Sequence, residues 1–78
     1  MRIWEINPMT FGDDLREMRM DMRLTQQEFA DRIKNVSKQT IASIEQGKVL
    51  PNLAVLLEMA KVFKVDEIRV DTSERWYR

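Results

Sequence analysis

The stretch from Thr25 to Gly47, TQQEFADRIKNVSKQTIASIEQG, limits the fold more than any other part of the chain. Thr25 with Glu28 three residues later is a capping box, in which a hydroxyl and a carboxylate satisfy free amides at a helix start. It opens a helix whose Phe29, Ala30 and Ile33 recur at the spacing of one buried face. Ser37 is a second N-cap, opening a helix in which Ile41 and Ile44 form the inward stripe and Gly47 supplies the left-handed end. The turn between them, Lys34-Asn35-Val36, is too short for anything but two helices crossing steeply. Ala30 is small enough to admit a close crossing. The second helix is thereby pushed out as a ridge, and it opens with Ser37, Lys38, Gln39 and Thr40.

The flanking segments read as follows. MRIWEINPM alternates loosely between apolar and polar residues up to Pro8 and predicts a short extended arm or edge strand. Thr10 with Asp13 fits a capping box for a first helix from about Phe11 to Met22, with Phe11, Leu15, Met18 and Met22 inward. Its methionines read as flexible core filler. After Pro51 and Asn52 a further helix places Leu53, Leu56, Leu57, Ala60 and Phe63 on one face. Beyond Val65, DEI suits one more helical turn, while IRVD alternates as a strand does. The two alternating ends, Arg2 to Ile6 and Ile68 to Thr72, are expected to pair, within one chain or between two. If they pair across a dimer, the arm can be deleted without unfolding the helices.

Composition narrows the chemistry. The chain has 78 residues, one small domain that buries about two-thirds of its unfolded surface. It contains no cysteine and no histidine, which removes the disulfide staple, the thiolate metal site, the usual general base and the usual metal ligand. The expectation is a protein that is not an enzyme and holds no cofactor or metal. Without an apolar run of about 20 residues or a leader, a cytoplasmic location follows by default. Net charge is zero, yet Arg32, Lys34, Lys38 and Lys48 lie in a stretch whose one acid after Arg32 is Glu45, while Asp13, Asp14, Glu17 and Asp21 gather on the first helix.

LTQQEFADRI…VSKQTIASIEQGKVLPNLAVLLEMAKVF resembles the phage repressor and Cro family of helix-turn-helix domains, over roughly Phe11 to Ile68. The resemblance implies an all-α, compact four-to-five-helix, lambda-repressor-like fold, to which short terminal strands can be added. It divides the chain into an arm (1–10), a DNA-binding domain (11–68) and a tail (69–78). It further implies a sequence-specific regulator of transcription on double-stranded DNA, a dimeric repressor reading the major groove with residues 37–46. Lys38, Gln39 and Ser43 match positions that touch base edges; Ser37 and Gln26 match helix starts near phosphates; Lys48 and Asn52 match positions gripping the backbone. Thr40 joins them as a donor in the first turn of the reading helix. These chemistries suit the task, since glutamine bonds adenine bidentately and lysine donates to guanine.

Arg19 and Glu45 match a pair that braces the first helix against the reading helix. Two departures stand out from the family pattern. Lys34-Asn35 occupies the place of one glycine, with Asn35 able to turn left-handed, and Arg23 stands where glycine commonly follows the first helix. A homodimer is expected, with Trp4, Trp76 and Tyr77 as anchors. The alternative is the antitoxin half of a toxin–antitoxin pair, the same domain also holding a toxin or other protein partner.

Overall fold

A computed structural model describes residues 1–71. Four helices and two short strands run in the order β1 (Ile3–Ile6), α1 (Phe11–Asp21), α2 (Gln26–Arg32), α3 (Lys38–Glu45), α4 (Leu53–Val62) and β2 (Glu67–Val70). Three of the helix starts follow the local chemistry. Thr25 and Glu28 form the full capping box of α2, Ser37 accepts from the Thr40 amide, and Asn52 accepts from the Val55 amide. The start of α1 differs from expectation. Thr10 has ψ near 5° and makes no cap with its side chain, because this backbone does not carry the hydroxyl over the third amide. Its Oγ1 donates instead to Asp14 at 2.9 Å.

Three helices end in the same way. The amides of Leu24, Lys48 and Val65 each reach back five residues, to the carbonyls of Arg19, Ser43 and Ala60. The residues before them, Arg23, Gly47 and Lys64, are left-handed, with φ of 58°, 77° and 56°. This double-bonded helix end normally takes glycine, which has no Cβ to clash. Two of the three here lack glycine, at a steric cost of about 1–2 kcal/mol each. Buried Leu24 and half-buried Val65, each directly after a left-handed residue, supply compensating apolar contact. Asn35 is also left-handed (φ 63°), which lets the lengthened α2–α3 turn close.

The core is one cluster drawn from β1, the four helices and the residues just after them: Trp4, Ile6, Phe11, Leu15, Leu24, Phe29, Ala30, Ile33, Ile41, Ile44, Met59, Ala60 and Phe63, with half-buried Ile68 of β2 packed against it. At its centre Phe63 stacks on Phe29 and meets Trp4 edge-on, and Trp4 also stacks on Phe11, with centroids 5.3–5.6 Å apart. Trp4 is therefore core, and not an anchor left over for a dimer. Trp76 and Tyr77 lie outside the described residues.

Three further expectations change. Leu53 and Leu57 are exposed, because α4 turns Met59, Ala60 and Phe63 inward and those two leucines fall to the side of that stripe. Met22 is exposed at the end of α1, and Arg19 takes the inward position there. Glu67-Ile68 is strand, not an added helical turn, since β1 offers it a hydrogen-bonding partner. The two strands pair in parallel within the chain, Ile3 beside Glu67 through Ile6 beside Val70. Trp4 and Ile6 are the inward residues of β1, so removing the arm would open the core.

Candidate nucleic-acid interface

Position of α3 is set by its inner face. Ile41 and Ile44 are fully enclosed, and Glu45 is buried beside them. Gly12 of α1 lies so close to the end of α3 that a Cβ there would come within 2.5 Å of the Ile44 carbonyl oxygen and 2.8 Å of that of Glu45. Only a glycine admits this approach.

Arg19 reaches from α1 to the same end of α3. Its Nε donates to Glu45 Oε2 at 2.7 Å and its Nη2 to Oε1 at 3.0 Å, a two-point pairing of planar groups. Its Nη1 donates to the Leu24 carbonyl at 2.7 Å, across the α1–α2 turn. Gln26, at the first position of α2, donates to Glu45 Oε1 at 3.1 Å. One carboxylate thus ties α1, α2 and α3 together. Both partners of the ion pair are largely removed from water, with side-chain exposures of 10% and 4%. Burial of this kind makes the bond directional, since each leftover lone pair or proton must be matched.

The outer face of α3 carries what the inner face leaves. Lys38 and Gln39 are exposed in its first turn, Ser43 is half-buried one turn on, and Gln46 is exposed at its end. Helical spacing puts Gln39, Ser43 and Gln46 on a single stripe opposite Ile41 and Ile44. Among the described residues the side chains of Lys38, Gln39, Ser43, Gln46 and Lys48 hold no hydrogen-bond partner, so their donors are free for a ligand. Ser37 and Thr40 share a hydroxyl–hydroxyl bond of 3.1 Å while Ser37 caps the helix. Gln46 was not singled out from sequence. Its signal was the seven-residue interval from Gln39, two helical turns, which returns it to the same face.

The other candidates are held in different places. Gln26 keeps one amide proton beyond its bond to Glu45. Asn52 commits its Oδ1 to the α4 cap, leaving its NH₂ to donate outward. Asn52 shares a cleft with Lys34 and Asn35 of the α2–α3 turn, whereas Lys48 follows the far end of α3, beside Gly12 and Val49. They do not form one cluster. Glu5, Asp14, Glu17 and Asp21 line a cleft beside Trp4 on the β1–α1 side that no lysine lines, while Glu58 shares the cleft of Lys34 and Asn52.

This arrangement defines a polar ridge on a helix anchored from behind by two others. The helix-turn-helix family model matches residues 15–69, and the chain belongs to that family, in its phage repressor and Cro type. Two relatives from Archaeoglobus fulgidus, each described as an uncharacterized helix-turn-helix-type transcriptional regulator, are similar to it. One is 35% identical and the other 32%, each over 65 residues, covering 80% of this chain and 90% and 91% of the relatives. No solved structure matches significantly. No helix of the described residues is long and apolar enough to cross a membrane.

Proposed function

We propose that this helix-turn-helix protein regulates transcription by binding an operator in double-stranded DNA as a homodimer, and that it acts as a repressor. The observation that carries the reading is the free polar stripe of Gln39, Ser43 and Gln46, flanked by Lys38, on a helix whose opposite face is locked by the Arg19–Glu45–Gln26 network. A helix this size fits the major groove, where each base pair shows a distinct donor and acceptor pattern. Gln39 is assigned to an adenine edge, Lys38 to guanine and Ser43 to either. Lys48, the remaining donors of Gln26 and Asn52, and the hydroxyls of Ser37 and Thr40 are assigned to phosphates, which position the protein without reading sequence. One reading helix covers too few base pairs to find a single site in a genome, which supports a dimer on two half-sites about one helical turn apart.

The test is to select the preferred operator from a random pool and titrate it against single variants over a range of salt. Gln39→Ala is expected to cost about 1–3 kcal/mol on the operator and little on random DNA. Lys48→Ala is expected to weaken both equally and to lower the salt slope by about 1. Equal loss of specific and random binding by Gln39→Ala would remove the direct-readout role.

A further inference from the structure

Two exposed basic residues bracket α2. Arg23 lies in the turn before it, three residues ahead of Gln26, and Lys34 lies in the turn after it, in the cleft that also holds Asn52. Among the described residues neither side chain makes a hydrogen bond or an ion pair. The carboxylate in the cleft of Lys34, that of Glu58, is bonded at 2.9 Å to Lys61 instead. Arg23 also keeps a left-handed backbone (φ 58°) that glycine would hold without strain. Strain of this kind gathers at functional sites, and no hydrogen bond or ion pair of the Arg23 side chain offsets it.

We propose that Arg23 and Lys34 are phosphate contacts, one on each side of the major groove, a reading that rests on the operator binding proposed above. Helices joined by a turn this short cross at about 90–120°. With α3 laid along the groove, α2 therefore lies across it. Its seven residues span about 10 Å and the groove is about 12 Å wide, so the turns at its two ends stand over the two phosphate rims. Each cation then accompanies a neutral amide already assigned to a phosphate, Arg23 with Gln26 on one rim and Lys34 with Asn52 on the other. The charge matters because the chain has 13 basic and 13 acidic residues, and so no net pull on DNA. Backbone affinity has to come from cations placed at the phosphates, each releasing counterions as it binds. Arg23 presents a planar fork that bonds a phosphate at two points, and Lys34 a single mobile charge.

The test is the salt dependence of binding by the full chain, measured on the selected operator and on random DNA. Arg23→Gly and Lys34→Gln are each expected to weaken both DNAs equally and to lower the slope of log affinity against log salt by about 0.9, and the double variant by about 1.8. Arg23→Gln, which keeps the strained backbone, is expected to give the same lowered slope as Arg23→Gly, and Arg23→Lys, which keeps the charge, to leave the slope as it is. Arg69→Gln removes a cation from β2, where it pairs with Glu67, and is expected to change neither affinity nor slope. Urea unfolding separates contact from fold. Arg23→Gly is expected to unfold at the same or a higher urea concentration than the native chain, because glycine relieves the left-handed strain. An unchanged slope in the variants at either position, or a slope lowered as much by Arg69→Gln, would overturn the proposal while leaving operator binding intact. A native chain that binds no DNA would overturn both readings.

Discussion

Glu45 shows how much one side chain can decide. Its carboxylate receives three hydrogen bonds from two residues on two other helices, and it belongs to the last residue of α3. Removing Arg19 would leave that charge buried without its partner, and removing Glu45 would strand the guanidinium. Either change to alanine is expected to cost about 3–5 kcal/mol of unfolding free energy. A double-mutant cycle in urea checks this, and a coupling energy near zero would reduce the pair to incidental neighbours. Gln26→Ala is expected to be milder, since Arg19 still satisfies both oxygens of Glu45. The match of Arg19 and Glu45 to a family pair was legible in the sequence; the third member was not. Gln26 carried the look of a surface donor, and only the packing of α2 against α3 brings its amide to the carboxylate.

At the scale of the element, helix starts and stops were the most readable feature. Thr25, Ser37 and Gly47 act through neighbours within a few residues, so local chemistry is sufficient. The capping box of α2 also carries a pH signature. Hydrogen bonds from the Thr25 backbone and side chain hold the Glu28 carboxyl below its ordinary range, with nearby Arg32 assisting. A depressed folded value means that ionised Glu28 stabilises the fold above its unfolded value, about 4.3, and that this contribution fades as pH falls through the folded value. The native chain is therefore expected to lose stability relative to Glu28→Gln as pH falls below about 4.3. Parallel acid titrations followed by circular dichroism measure the difference, and superimposable profiles would contradict it. Thr10 with Asp13 had the same sequence pattern as Thr25 with Glu28 and did not cap. The Asn7-Pro8-Met9 turn before it, closed by the Thr10 amide on the Asn7 carbonyl at 3.0 Å, sets a backbone angle that a spacing rule does not contain.

For the whole molecule, the question is what the terminal segments do. Trp4 joins Phe11 and Phe63 in a ring cluster, and Ile6 is enclosed beside it. Trp4→Ala is expected to cost about 3–5 kcal/mol, a large share of the 5–15 kcal/mol typical of a domain. Deleting residues 1–7 removes both side chains and β1 together, and is expected to abolish cooperative melting of the helices. A sharp, unshifted transition in the shortened chain would contradict that. The sequence by itself determined the helix-turn-helix, because caps, turn residues and a 3.6-residue apolar period are local and were all present between Thr25 and Gly47. It also marked both ends as strand-like. Their parallel pairing inside one chain, the enclosure of Trp4, the exposure of Leu53 and Leu57, and the need for glycine at position 12 were decided by tertiary structure alone. Each depends on which surfaces meet after the helices have packed, and a periodicity records that a face is apolar without recording what will cover it.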